Sequence, residues 1–348
     1  MKSKIRRLIF ISLLSSVSLC ACSSGGGSKV ELSEHQLILQ PGQSHVFNVK
    51  KNDRKNISFD VANQEIISFD EQNLTLTAKK EGRTIFSALQ DGRRDDCEVV
   101  VRYDHIESVE PLNVATIAHK GYHKDAIENT LEAFSEAGRR DFFGIETDIH
   151  RTKDNRWVCN HDNKIKGMDK TISECTFEEI MEVNLSDDPN SVIKVCSFED
   201  YVSVCNAYNK HPVIEFKEST SKEHMNEVIN ILSGYSVLDE VIFISKLGDV
   251  LGSLLNIKNE NNYKFDLQML TEGSGWQYVS EYLNVSSQYE AITSSMVENC
   301  NLIGQYVAAW TVNDRDIANS LIELGVKYIT TDVFECDFQY IDHTLFGI

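Results

Sequence analysis

Residues 117–162 read IAHKGYHKDAIENTLEAFSEAGRRDFFGIETDIHRTKDNRWVCNHD, and the rest of the chain is organised around them. Two histidines here each end an apolar run: Thr116-Ile117-Ala118 precedes His119, and Trp157-Val158-Cys159-Asn160 precedes His161. Between them Glu146 and Asp148 are separated by one residue. Side chains at i and i+2 of an extended strand share a face about 6–7 Å apart, so these two acids point the same way. Apolar residues flank both, and an unpaired charge in a buried strand would be strongly unfavourable. Two acids aimed together make a cation site.

The short blocks His119-Lys120-Gly121, Glu128-Asn129-Thr130, Glu146-Thr147-Asp148 and His161-Asp162 occur in that order. They are followed by Ile214-Glu215-Phe216-Lys217, Trp310-Thr311-Val312-Asn313 and Ile329-Thr330-Thr331-Asp332. This series resembles the signature of the glycerophosphodiester phosphodiesterase family. No single block is specific, but seven in order are.

From Val114 onward β-prone and helical segments alternate: strand Val114–Ala118, helix Asn129–Arg140, strand Gly144–Ile149, strand Pro212–Lys217, helix Lys222–Leu232, strand Val241–Ser245, helix Val250–Ile257. Then come strand Tyr263–Met269, helix Gln277–Leu283, strand Ala291–Ser294, strand Gln305–Val312, helix Arg315–Leu324 and strand Tyr328–Thr331. Such alternation predicts a (β/α)8 TIM barrel over residues 114–348, with Asn163–Lys210 as an insertion after the second strand. A doubly wound open sheet is disfavoured, because no glycine-rich phosphate loop follows the first strand.

The front of the chain is different. A basic start (Lys2, Lys4, Arg6, Arg7), an apolar run from Leu8 to Leu19 and the sequence Leu19-Cys20-Ala21-Cys22 resemble the leader and lipobox of bacterial lipoproteins. The run is too short to span a bilayer stably. Residues 1–21 are therefore expected to be a signal peptide and 22–28 a Ser/Gly tether, with lipid on Cys22 holding the protein outside the cytoplasm on the bacterial membrane. Residues 29–103 hold seven short β-prone runs separated by turn formers such as Pro41-Gly42 and Asp91-Gly92. They predict a small all-β sandwich, whose order of features resembles group 2 bacterial immunoglobulin-like domains. Its plainest role is a spacer, and residues 104–113 are a linker.

With 348 residues the chain is long enough for two such domains, and 41% hydrophobic content supports a sizeable core. The formal charge is −19, and loss of the four basic residues of the leader would take it to −23. So negative a chain is no nucleic-acid binder and gains no attraction from anionic lipid. Nine cysteines without a Cys-x-x-Cys pair form neither a zinc pattern nor a disulfide scaffold. Most are expected to be buried small hydrophobes.

Residues that close barrel strands gather at one rim, which is where TIM barrels carry their active sites. The family resemblance implies that Glu146, Asp148 and Glu215 hold the metal, and three carboxylates suit a hard divalent cation, Ca²⁺ or Mg²⁺. It implies catalytic roles for His119 and His161 and places Glu128 in the active site. Imidazoles titrate near neutral pH and can exchange protons with nucleophile and leaving group. Lys120, where the family usually has arginine, and Lys217 are candidate phosphate contacts. Trp310 is a candidate apolar wall for the substrate. His150 shares parity with the two acids but is expected beyond the strand, and His123 is a loop residue. The implied reaction is hydrolysis of a glycerophosphodiester to glycerol 3-phosphate and an alcohol. A phospholipase D-like or cyclising lyase, or a binding lipoprotein without turnover, are the alternatives.

Overall fold

The computed structural model describes residues 30–49, 57–108 and 111–337. The expected signal peptide, the Ser/Gly tether and Cys22 lie outside the described residues.

The N-terminal part contains β1 (Gln36–Leu39), β2 (Ser44–Val46), β3 (Ile57–Val61), β4 (Ile67–Asp70), β5 (Thr75–Ala78), β6 (Gly82–Gln90) and β7 (Arg93–Val101). They form two sheets, β1-β7-β6-β3 and β2-β5-β4, around Phe47, Ile66, Ile67, Leu76, Phe86 and Val99. Strand β3 shows the expected alternation, with Ile57, Phe59 and Val61 turned inward relative to Ser58 and Asp60. Asp91 and Gly92 both take positive φ, 51° and 75°. That is the two-residue turn a tight right-twisted hairpin needs between β6 and β7.

The remaining elements are β8 (Pro111–Leu112), β9 (Ala115–Ala118), α1 (Leu131–Gly138), β10 (Gly144–Arg151), β11 (Trp157–Cys159), α2 (Phe177–Met181), β12 (Cys196–Ser197), α3 (Phe198–Tyr208), β13 (His211–Phe216) and α4 (Lys222–Gly234). Then follow β14 (Ile242–Ser245), α5 (Gly248–Asn261), β15 (Asp266–Thr271), β16 (Asn284–Gln288), α6 (Ser294–Leu302), β17 (Val307–Trp310), α7 (Arg315–Leu324), β18 (Tyr328–Thr331) and β19 (Glu335–Cys336). Eight parallel strands, β9, β10 and β13 to β18, close on themselves because β18 pairs with β9 and β9 with β10. This is a TIM barrel, and the open-sheet alternative is excluded. Side-chain caps open its helices at Thr130, Ser197, Ser221, Thr293 and Asp314.

Two expectations fail in detail. The sixth barrel strand is Asn284–Gln288, not Ala291–Ser294, and the expected helix Gln277–Leu283 is replaced by a 3₁₀ segment, Gly273–Tyr278. Ile292-Thr293 is β-prone alone, but Thr293 caps α6, while the polar run Asn-Val-Ser-Ser-Gln is drawn into the wall by pairing on both sides. The second departure concerns Asn163–Lys210, which is not purely inserted: α3 within it is the helix that returns the chain from β10 to β13. Only the β11–β12 extension and α2 are additional.

The seven cysteines of the described residues are all buried and unpaired, as expected of small core hydrophobes. Among the described residues no helix is long and apolar enough to cross a membrane.

Candidate active site at the barrel mouth

Register assembles the acids. Strands β10 and β13 run parallel with Asp148 beside Glu215 and Glu146 beside Val213. Neighbours in a parallel pair share a face, so one carboxylate from each strand lies side by side with Glu146 two residues below. One oxygen each of Glu146, Asp148 and Glu215 lies within 4.8 Å of the others. Glu146 and Asp148 are 3% and 1% exposed. Burial, then the charges of Asp148 and Glu215, holds the Glu146 carboxyl well above its usual range. Glu215 is pushed up to about 7, by burial first and then by Asp148. Three crowded, desolvated oxygen donors are what a hard divalent cation requires, and the residues present fit one.

Other groups hold these acids in place. The backbone N–H of Lys120 donates to Glu146 Oε2 at 2.8 Å. Asn129 Nδ2 donates to Asp148 Oδ2 at 3.0 Å, while its Oδ1 accepts from Thr147 Oγ1 at 2.7 Å. The positive φ of Lys120 and Asn129, 54° and 57°, turns both residues inward. Lys217 Nζ stands 3.3 Å from both Asp148 Oδ1 and Glu215 Oε1, so its charge faces the acids themselves. Lys120 Nζ meets both oxygens of Glu128 at 3.2 Å.

His119 follows β9, and its N–H donates to Thr331 O at 3.0 Å. Its Nδ1 is 2.9 Å from Asp332 Oδ1. A carboxylate only accepts, so Nδ1 carries the proton and Nε2 keeps its lone pair when the ring is neutral. Asn313 clamps Asp332, donating from Nδ2 to Oδ2 at 2.5 Å and accepting from the Asp332 N–H at 2.9 Å. Burial pushes the Asp332 carboxyl up, but the hydrogen bonds from His119 and Asn313 outweigh it and hold the group below its ordinary value.

His161 sits after β11, half exposed, with Nδ1 2.8 Å from Asp162 Oδ1. Asn160, one residue earlier, donates its N–H to Asp148 O at 3.0 Å, which keeps the His161-Asp162 pair next to the strand that carries two of the acids. Trp310 ends β17, donates from Nε1 to Ser286 O at 3.1 Å and carries Lys246 Nζ 5.5 Å above its ring.

His150 corrects an expectation. It lies inside β10, 4% exposed, not beyond the strand. Its ring nitrogens lie 3.4 Å from Glu218 Oε1 and 3.4 Å from His161 O, so it braces the rim and takes no place among the three acids. Two site groups went unassigned in the sequence, Asp332 and the inward-turned Asn129. Asp332 follows the last apolar strand, so the strand-end rule that picked His119 could have found it. Asn129 looked like part of a helix opening, and only its positive φ reveals its direction.

A closed barrel that gathers its acids and a carboxylate-oriented histidine at the strand ends has the arrangement of a TIM-barrel enzyme. The profile of the "Glycerophosphoryl diester phosphodiesterase family" matches residues 119–335, and the chain belongs to that family. It is 28% identical over 264 residues to glycerophosphodiester phosphodiesterase 1 of Bos taurus, covering 64% of this chain and 79% of that one. It is 25% identical over 246 residues to the glycerophosphodiester phosphodiesterase of Caldanaerobacter subterraneus, covering 64% and 95%. Among solved structures, a glycerophosphodiester phosphodiesterase from Parabacteroides distasonis superposes with TM-score 0.55 at 25% identity, covering 64% of this chain and 94% of that one. An Oleispira antarctica phosphodiesterase in complex with the product sn-glycerol-3-phosphate shares the fold, with TM-score 0.57 at 20% identity over 63% and 92%.

Proposed function

We propose that this enzyme hydrolyses glycerophosphodiesters to sn-glycerol 3-phosphate and an alcohol. One observation carries the reading: Glu146, Asp148 and Glu215 converge at the same strand ends as a histidine oriented by the partly buried carboxylate of Asp332. Glu146, Asp148 and Glu215 would hold Ca²⁺ or Mg²⁺, which when bound supplies positive charge for the phosphoryl oxygens as negative charge grows on them. His119 offers Nε2 while Asp332 holds Nδ1, so this ring can take or give a proton at a fixed position. His161, held by Asp162 at 2.8 Å, supplies the second proton-transfer group. Lys217 and Lys120 lend positive charge to the phosphate, and Trp310 walls the pocket. This division fits the two-proton bookkeeping of phosphodiester hydrolysis, one proton leaving the nucleophile and one reaching the alcohol.

The chain is proposed to be a lipoprotein, anchored through Cys22 and displayed outside the cytoplasm. Its N-terminal two-sheet domain is proposed to be immunoglobulin-like. The test is turnover of glycerophosphoethanolamine with and without EDTA, followed by phosphorus NMR. The expected outcome is metal-dependent release of glycerol 3-phosphate. A persistent cyclic phosphate identifies a lyase instead, and tight binding without product identifies a binding protein.

A further inference from the structure

The turn between β5 and β6 inserts into the barrel's outer wall. Glu81 is 8% exposed, although it belongs to the N-terminal domain. One of its carboxylate oxygens accepts from Ser135 Oγ on α1, the other from Tyr208 Oη on α3. Its backbone oxygen accepts from Ser203 Oγ, also on α3, at 2.8 Å. The next residue must be glycine, since a Cβ at Gly82 would lie 2.5 Å from Ser203 Oγ and 2.6 Å from Ile66 Cδ1. Tyr208 is shared as well, for its oxygen accepts from the Tyr103 N–H at 3.0 Å. A spacer has no need to bury a carboxylate between two helices of its neighbour.

Both helices lead to the three acids. Helix α1 is eight residues long and begins directly after Asn129 and its cap Thr130, and Asn129 holds Asp148. Helix α3 carries Tyr201, whose hydroxyl donates to Ile145 O at 2.7 Å and accepts from the Val213 N–H at 3.0 Å. Ile145 precedes Glu146, and Val213 lies two residues before Glu215. The same hydroxyl therefore ties together the two strands that carry all three carboxylates. Phe134 of α1 packs on Tyr201 with ring centroids 4.9 Å apart, joining the two routes.

We propose that Glu81 is a positioning residue for the cation site: the N-terminal domain clamps α1 against α3 and thereby sets the spacing of Glu146, Asp148 and Glu215. The N-terminal domain is then a working part of the site. This rests on the cation reading above, and the experiment separates the two. Ca²⁺ and Mg²⁺ binding to the full chain is measured by titration calorimetry at a temperature where each variant is folded by circular dichroism. Amide hydrogen exchange of residues 129–138 is followed in the same samples.

Removing a group that supports metal ligands typically weakens affinity 10–100-fold, and Glu81 acts one step further out, so Glu81→Ala is expected to weaken cation binding about tenfold. It should also speed exchange in α1. Glu81→Gln keeps an acceptor for one hydroxyl and should recover part of the affinity. Ser135→Ala reaches the same contact from the barrel side without touching the N-terminal domain, and keeps the test informative if Glu81→Ala fails to fold. A wild type that binds no cation removes the cation reading and this inference with it. A wild type that binds, beside folded Glu81→Ala and Ser135→Ala variants that bind equally well, overturns this inference alone.

Discussion

Glu215→Gln isolates the electrostatic strain created by crowding three acids. In the cation-free protein the Glu215 carboxyl rises from its ordinary 4.5 to about 7, driven by burial and by Asp148. That rise is worth about 3 kcal/mol. Between those two values the folded protein holds a proton that the unfolded chain has released. Stability of the cation-free protein therefore falls as pH climbs through this window and levels off above about 7. Glutamine removes the charge but also a 3.3 Å ion pair with Lys217, which keeps Asp148 as its partner. The net expectation is a gain of about 2 kcal/mol near pH 8, roughly 4–8 °C in Tm for a domain of this size, shrinking to less than half of that near pH 5. Scanning calorimetry in EDTA at both pH values reads this directly. Repeating the scans with excess Ca²⁺ or Mg²⁺ should raise the Tm of the wild type far more than that of the variant. A variant less stable than wild type in EDTA at the higher pH, or one keeping the full cation-induced rise, refutes the reasoning.

Replacing His119 with Asn should lower kcat roughly a hundredfold to ten-thousandfold while cation affinity measured by calorimetry stays within twofold. Asp332→Asn should lower kcat and alter the pH profile with little change in KM, since it removes only the carboxylate that sets the His119 tautomer; an unchanged profile counts against that role. Lys217→Met should tighten divalent-cation binding roughly tenfold, because an ammonium 3.3 Å from two of the acids opposes a second cation there. The same variant should turn over more slowly, and weaker cation binding would contradict the placement. Gly121 has φ +79°, and a Cβ there would lie 2.7 Å from the Ala133 backbone carbon. Gly121→Ala should therefore destabilise the barrel by about 2 kcal/mol or more, read as a lower Tm.

The barrel was legible in the sequence because its determinants are local. Buried runs such as Ala115–Ala118 and Gly144–Ile149, alternating with capped helices, signal a parallel sheet one segment at a time. Where the local signal misled, as at Ile292-Thr293, cap and strand compete within a few residues and only neighbouring strands decide. Strand parity set the direction of Glu146 and Asp148, and strand ends pointed to Glu215, His119 and Trp310.

Tertiary structure alone decided what those residues meet. The pairing of Asp148 with Glu215 depends on the register of strands more than sixty residues apart. The contact of His119 with Asp332 exists because β18 closes onto β9. His150 stays in the strand because pairing with β11 lengthens β10 beyond its apolar run, and Lys217 reaches Asp148 because β13 lies beside β10. The burial of Glu81 between α1 and α3 has no signature in its own segment, where Lys-Lys-Glu-Gly-Arg reads as an exposed turn. Patterns within a segment report which way side chains point, because backbone geometry repeats over a few residues. Which distant group stands opposite depends on how strands align and domains dock, and no short window of sequence holds that information.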